Sequence, residues 1–154
     1  MLRSGLLFLF SLPIFSAQSN CWINAGTRYS IEPELLQAIA IVESNGNSSA
    51  INKNSNGSLD VGLMQINSSH FNALRKFRIS QKDLLENPCQ NVMTGAWILA
   101  GQVQQFGYTW EAVGTYHTGT ANTPKRRALR QKYIKKVAYQ YALLKRHRVI
   151  QPPL

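Results

Sequence analysis

The chain has 154 residues, of which 44% are hydrophobic and 16% charged, and its formal net charge is +10. This composition excludes an intrinsically disordered chain, and the length favours one domain with its own core. The charge is unevenly placed, because residues 1–111 hold seven basic and seven acidic residues whereas residues 112–154 hold ten basic residues and no acidic one.

The first segment, residues 1–19, has the pattern of a secretory signal peptide. Arg3 provides a basic start, an apolar stretch follows, and small residues precede a cleavage site after Ser19 or, less favourably, after Ala17. An uncleaved membrane anchor is the alternative, but the apolar run is shorter than the roughly 20 residues that a spanning helix needs. We therefore expect export to the periplasm and a mature domain over residues 20–154 without a transmembrane segment.

The cysteine and histidine positions bear on redox state and metal binding. Cys21 and Cys89 are the only cysteines, and an oxidising compartment favours joining them, although two buried free thiols are the alternative. A bridge closing so long a loop would stabilise the fold by about 4 kcal/mol in the chain-entropy model. His70, His117 and His147 are scattered without zinc-ligand spacing, so we expect no metal and no cofactor.

Hydrophobic periodicity predicts helices joined by polar turns in the first half of the chain. A first helix begins at the segment "CWINAGTRYS", and the clearest helix, "IEPELLQAIAIVES", has Pro33 in its first turn and ends at residues 44–47. Residues 45–60 are rich in Asn, Ser and Gly, which predicts turns with a short hairpin at Asn56–Gly57. Another helix is expected to start near Ser68.

The second half predicts further helices. A helix follows the break at Asn87–Pro88 and stops at Gly107. Beyond Pro124 the sequence predicts an amphipathic basic helix whose inward residues are Ile134, Val137, Tyr141 and Leu144. The chain has no sustained alternation of period two, so the predicted fold is mainly α.

Glu43 is the first candidate for chemistry. Leu36, Ile39 and Glu43 have the spacing of one helix face, so the acid shares an apolar surface at the helix end. Desolvation and the negative end of the helix dipole both favour the protonated form of a carboxyl group there. That form is what a general acid for glycoside cleavage requires. The alternative is a glutamate that turns to solvent or pairs with a base.

Two later stretches supply further candidates. Asp60 directly precedes "VGLMQIN", in which Met64, Gln65 and Asn67 combine apolar and amide groups suited to sugar rings, hydroxyls and acetamido groups. The same stretch could simply lead into a helix that Asn67 caps. In "AVGTYHTGT", Tyr116 lies between glycines, where its hydroxyl lines a cleft or packs in the core.

These three ordered motifs resemble the lytic transglycosylases of the goose-lysozyme-like fold. The likeness rests on Glu-Ser at a helix end, Gly-Leu-Met-Gln-Ile-Asn, and Ala-Val-Gly-x-Tyr-x-x-Gly, and it covers about residues 21–130. It is strongest to the small exported members that accompany type III and type IV secretion systems and conjugative pili. The resemblance implies a mainly α, lysozyme-like single domain of the goose-type or SLT kind, with a substrate cleft.

The resemblance also implies roles for individual residues. It implies a single catalytic acid at Glu43, a tyrosine at position 116 that helps orient that acid, and the paired cysteines of the secretion-associated members. The residues that match the family's sugar-binding cleft are Ser44, Met64, Gln65 and Asn67, together with Tyr116.

Two positions depart from the family pattern. The third motif usually reads Tyr-Asn-Ala-Gly, and His117 replaces its asparagine, so we assign His117 no catalytic role. Most larger members need no second carboxylate. Asp60 could stabilise positive charge at C1 of the sugar, or it could be a turn residue that bonds its own backbone.

The function implied is cleavage of the β-1,4 bond between N-acetylmuramic acid and N-acetylglucosamine in peptidoglycan, without water, to give 1,6-anhydromuramoyl ends. Such an enzyme would open the wall locally for a secretion or pilus apparatus, whose components are possible partners. A hydrolytic muramidase using Glu43 and Asp60, or a non-catalytic peptidoglycan-binding subunit, are the alternatives. Nucleic-acid binding is disfavoured by the export signal and the absence of a reading motif.

The basic C-terminal helix is open to several interpretations. Peptidoglycan stem peptides carry carboxylates, so positive charge favours adsorption to the wall through a salt-dependent attraction. The same charge would suit an acidic assembly protein or anionic lipid, or could be only a solvated helix face.

Overall fold

The structure, a computed structural model, describes the backbone of residues 17–150 and the side chains of residues 21–147. The predicted signal peptide lies outside the residues whose side chains are described, and it stays a prediction. No helix within the described range is both long and apolar enough to cross a bilayer.

The described chain is mainly α, as the sequence predicts. Three short strands form a sheet between the second and third helices. The elements run in the order α1 Ala17–Tyr29, α2 Pro33–Ser44, β1 Ile51–Lys53, β2 Leu59–Val61, β3 Ile66–Asn67, a 3-10 turn Ser68–His70, α3 Phe71–Arg75, α4 Gln81–Glu86, α5 Pro88–Phe106, α6 Trp110–Thr118 and α7 Pro124–Ile150.

The end of α2 is set by local chemistry. Asn45 takes the left-handed conformation, with φ 53°. The N–H groups of Asn45 and Gly46 then bond to carbonyls of the last helical turn, which satisfies acceptors that a helix end would otherwise leave open. This cap holds Glu43 in the last turn of the helix, and it confirms the predicted helix end.

The sheet is antiparallel throughout, in the order β1-β2-β3. The predicted Asn56–Gly57 hairpin connects β1 to β2, where Gly57 has φ 83°. Because side chains alternate along a strand, the residues at positions 61 and 66 are buried while Asp60 and Asn67, paired in the register, remain partly exposed. The sheet therefore offers a polar face next to the end of α2.

The long helix α7 packs against α2 and α6. Of its predicted inward residues, Val137 is fully buried and Tyr141 and Leu144 pack against the core. Tyr133, which was not among the predicted inward residues, is only 5% exposed. It lies four residues before Val137, so it shares that buried face and reaches towards the last turn of α2.

A disulfide joins Cys21 in α1 to Cys89 at the start of α5, with the two Cα atoms 5.2 Å apart. The predicted bridge is confirmed. It connects two helices that also pack against each other, so it closes a loop of 68 positions on the side of the core formed by α1 and α5.

Candidate active site

The structure places Glu43 where the helix periodicity predicts. Leu36 and Ile39 are fully buried on the same face of α2, and the Glu43 side chain is 10% exposed. Its exposed part lines an open cleft of about 700 Å³. The carboxyl group is therefore mostly removed from water but still reachable from the cleft.

One oxygen of Glu43 is held by two side chains. The Tyr133 hydroxyl donates to Oε1 over 2.7 Å, and Nδ1 of His117 lies 3.3 Å from the same atom. Oε2 of Glu43 accepts no hydrogen bond from any of the described residues. The carboxyl group is thus oriented through one oxygen, and the other is free for a ligand.

Tyr133 remains a hydrogen-bond donor at any physiological pH. Burial raises its pKa well above the ordinary value, and charge interactions with Glu43 and Tyr116 and the hydrogen bond to Glu43 act in the same direction. The ring of His117 stacks on Tyr133, with centroids 4.4 Å apart and planes within 5°. The half-exposed imidazole therefore covers the tyrosine from the cleft side.

Tyr116 lines the cleft, as the sequence predicts, but its hydroxyl has a different partner from the one expected. It donates to the backbone carbonyl of Met64 over 2.7 Å and makes no hydrogen bond to Glu43. Burial raises its pKa well above the ordinary value, and the charges of Glu43 and Asp60 add to the shift. Tyr116 thus joins α6 to the second motif while Tyr133 orients the acid.

Asp60 lies in strand β2, so the turn interpretation is wrong. Its two oxygens accept hydrogen bonds from the side-chain amides of Asn54, over 2.8 Å, and Asn67, over 2.7 Å. The carboxylate also lines the cleft. Since each oxygen has a protein donor, Asp60 connects the strands of the polar sheet face.

The predicted substrate contact through the Met64 side chain is wrong. Met64 is fully buried, because its side chain fills the space above Gly95, where an added Cβ would lie 2.6 Å from Met64 Sδ. Ser44 is also outside the cleft lining, since its hydroxyl donates to the Leu63 carbonyl over 2.7 Å. Both residues support the cleft from behind.

Gln65 and Asn67 do line the cleft. Gln65 has φ 48°, and its amide donates to the Gly62 carbonyl over 2.9 Å. The Asn67 oxygen accepts from the Ser69 N–H over 3.0 Å and so caps the 3-10 turn. Asn67 therefore caps this turn and also lines the cleft, and its contact with a sugar stays a prediction.

The cleft wall is polar and is assembled from elements far apart in sequence. Its lining residues come from α2, the sheet and its hairpin, the 3-10 turn, α5, α6 and the start of α7. Its lining comprises Glu43, Asn54, Ser55, Asn56, Ser58, Asp60, Gln65, Ile66, Asn67, Ser69, His70, Ile98, Tyr116, His117, Thr118, Gly119 and Arg126. No group of three or more acidic, His or Cys side chains among the described residues is arranged to hold a metal ion.

A helical domain with a mostly buried carboxyl group at a helix end, facing a polar cleft beside a small antiparallel sheet, defines the lysozyme-like class of glycan-cleaving domains. The model of the transglycosylase SLT domain matches residues 20–139. The chain belongs to the transglycosylase SLT domain family and is a peptidoglycan lytic transglycosylase.

The chain is also similar to curated proteins over most of its length. The chain is 46% identical to the invasion protein IagB of Salmonella typhimurium over 140 residues, covering 91% of this chain and 86% of that one. It is 42% identical to protein IpgF of Shigella flexneri, covering 87% and 89%. It is also 42% identical to a putative peptidoglycan-binding-like protein of Escherichia coli K12, covering 82% and 85%.

A solved structure supports the fold. The chain superimposes on an inactive mutant of the lytic transglycosylase Slt from Pseudomonas aeruginosa with a TM-score of 0.64 and 19% identity. The match covers 89% of this chain and 25% of that one, so it corresponds to one domain of a longer protein. The predicted lysozyme-like fold is confirmed.

Proposed function

We propose that Glu43 is the single acid–base catalyst for non-hydrolytic cleavage of the β-1,4 bond between N-acetylmuramic acid and N-acetylglucosamine. The observation that carries this proposal is the asymmetric holding of its carboxyl group. Oε1 accepts the Tyr133 hydroxyl, so a neutral Glu43 carries its proton on Oε2. That oxygen has no described protein partner and belongs to a side chain that lines the cleft.

In the first step, Glu43 donates the Oε2 proton to the glycosidic oxygen as the bond to C1 of muramic acid breaks. A general acid that loses its proton in the transition state gains negative charge. The Tyr133 hydroxyl, at 2.7 Å from Oε1, stabilises that charge with a hydrogen bond that strengthens as the carboxylate forms. The substrate's own acetamido group shields the positive charge at C1, as in substrate-assisted glycosidases.

In the second step, the muramic acid C6 hydroxyl attacks C1 of the same sugar. The Glu43 carboxylate takes the hydroxyl proton, so the enzyme returns to its starting protonation state. The bond from O6 to C1 closes the 1,6-anhydro ring, and no water is consumed. No metal or organic cofactor takes part in either step.

The position of Asp60 in the cleft keeps a hydrolytic muramidase as the second candidate. Such an enzyme would use Asp60 as its second carboxylate. The hydrogen bonds from Asn54 and Asn67 favour a different role, because they engage both oxygens and hold the polar face of the sheet together. We propose that Asp60 shapes the cleft and influences C1 only through its charge.

We also propose where the enzyme acts. The signal-peptide pattern of residues 1–19 supports export and action on periplasmic peptidoglycan. The name of one relative, a putative peptidoglycan-binding-like protein, supports action at the wall, and the resemblance to the secretion-associated family members supports a role beside a secretion or pilus apparatus. The enzyme would open the sacculus locally for that apparatus.

The decisive experiment is mass spectrometry of the products from sacculi incubated with the purified protein. We expect 1,6-anhydromuramoyl ends from the wild type and none from Glu43→Gln, whose folding is checked by circular dichroism. Reducing ends, one water heavier, would replace the proposal with hydrolysis. Near-normal cleavage by Glu43→Gln would overturn the assignment of the acid.

A further inference from the structure

We propose that Arg126 is a specificity-determining residue that binds a carboxylate on the lactyl arm of a muramoyl residue in the cleft. This inference rests on the proposed function. It adds recognition of the lactyl arm, which is the part of the substrate beside the sugar ring. The carboxylate belongs either to a stem peptide or, on strands without peptides, to the lactyl group itself.

Arg126 lines the same cleft as Glu43 and His117. Among the lining residues it is the only lysine or arginine; the described carboxylates of the cleft are Glu43 and Asp60. The Arg126 side chain is exposed, and no carboxylate of the described residues lies within ion-pair distance of its guanidinium group. It therefore presents an unneutralised charge to whatever occupies the cleft.

The guanidinium group of Arg126 is nevertheless positioned by the protein. Its Nη1 donates to the backbone carbonyl of Thr118 over 3.3 Å. The turn after Thr118 is itself held by Arg130, which is buried and donates to the carbonyls of Gly119, over 2.9 Å, and Ala121, over 3.1 Å. Arg130 is neutralised by Glu111, whereas Arg126 is the lysine or arginine of the described residues that lines the cleft and offers its charge there.

The beginning of α7 adds to the positive potential. Its first turn contains three consecutive basic residues, at positions 125 to 127, and no acidic one. The positive end of the helix dipole disfavours cations there. Arg126 and Arg127 donate hydrogen bonds to backbone carbonyls, which are neutral partners, so an anionic ligand would further stabilise this arrangement.

The substrate supplies the matching anion. A neutral glycan of N-acetylglucosamine alone has no carboxylate, whereas each muramoyl residue carries a lactyl arm that ends in one or leads to a peptide that does. A guanidinium group binds a carboxylate through paired, charge-assisted hydrogen bonds. Arg126 would thus recognise the sugar whose C1 reacts and orient it against Glu43.

The test combines substitutions of Arg126 with changes to the carboxylates of the substrate. Cleavage by the wild type, Arg126→Gln and Arg126→Lys is measured as kcat/KM on peptide-bearing strands, on the same strands with carboxylates converted to methylamides, and on strands stripped by an amidase. Lys136→Gln is the matched control, because it removes the same charge from the same helix at an exposed position outside the cleft lining.

We expect Arg126→Gln to lose roughly tenfold in kcat/KM on a carboxylate-bearing substrate and nothing on the methylamides, as a charge-assisted hydrogen bond predicts. A loss on peptide-bearing strands identifies the stem carboxylate, and a loss on stripped strands identifies the lactyl carboxylate. Arg126→Lys should recover part of the loss, and Lys136→Gln should match the wild type. An equal loss on all substrates, or no loss, would overturn the proposal.

Binding provides a readout that does not depend on turnover. In the Glu43→Gln background, adding Arg126→Gln should weaken the Kd for carboxylate-bearing strands roughly tenfold and leave the Kd for methylamides unchanged. Unchanged binding of both would contradict the role of Arg126. The anhydro products of the wild type test Glu43 separately, so the two proposals can fail independently.

Discussion

The Tyr133 hydroxyl and Glu43 Oε1 are 2.7 Å apart although the residues are separated by 90 positions in the chain. This contact joins the C-terminal helix to the proposed catalytic acid. It gives α7 a function beyond its positive charge, because the helix delivers the donor that orients the carboxyl group.

Tyr133→Phe is expected to lower kcat/KM by roughly tenfold to a hundredfold, since it removes a hydrogen bond to a group that becomes charged in the reaction. The measurement is the rate of anhydro-product formation by the purified variant. Tyr139→Phe is the matched control, because Tyr139 lies on the same helix and is 61% exposed. A folded Tyr133→Phe variant with wild-type kcat/KM would refute the role assigned to the hydroxyl.

His117→Asn introduces the asparagine that the family usually carries at this position. The expected effect is a loss of less than about threefold in kcat/KM, because the Nδ1–Oε1 distance of 3.3 Å is long for a hydrogen bond and the imidazole is half-exposed. The rate is compared with that of Tyr133→Phe under the same conditions. A loss as large as that of Tyr133→Phe would make His117 an equal partner in holding Glu43.

Asp60→Asn is expected to lose about tenfold in activity, against a loss of at least about a thousandfold for Glu43→Gln, which removes the proposed general acid. The smaller loss follows from a change in cleft charge and in the bonds to Asn54 and Asn67. Product masses are determined together with the rates. Equal losses in the two variants would favour the route with two carboxylates.

Reduction of the bridge between Cys21 and Cys89 should lower the free energy of unfolding by about 4 kcal/mol, because the bridge constrains a long loop in the unfolded chain. Urea unfolding with and without reductant measures the change. A variant with both cysteines replaced by serine is the control, and its midpoint should not respond to reductant. An unresponsive wild type would argue against the bridge in solution.

Gly95→Ala should destabilise the fold by about 1–3 kcal/mol, because the new Cβ would lie 2.6 Å from Met64 Sδ and overpack the core. Gly101→Ala on the same helix is the control, since nothing lies within 4 Å of its Cβ position. It should stabilise the helix by about 0.5–1 kcal/mol. Equal unfolding midpoints for the two variants would show that Met64 accommodates the added methyl group.

Several features of the site were predictable because they depend on residues close together in sequence. The apolar spacing before Glu43 and the Asn-Gly residues after it specify a helix and its end, so the acid was predicted on the correct face. The Asn56–Gly57 hairpin and the helix stop at Gly107 are equally local. Because the chain has only two cysteines, an oxidising environment was enough to predict their pairing.

Only the tertiary structure decided which side chains meet around Glu43. Helical periodicity gives Tyr133 a buried face, but its contact with α2 depends on how α7 packs against that helix. The same limit applies to Met64. Its position in the motif predicts a side chain beside the cleft, but packing against Gly95 turns that side chain inward. Sequence by itself determined the elements and the position of Glu43 at a helix end, because hydrogen bonding within a helix or turn is local. The packing of distant elements determined the partners, because side-chain contacts across a core depend on the whole fold.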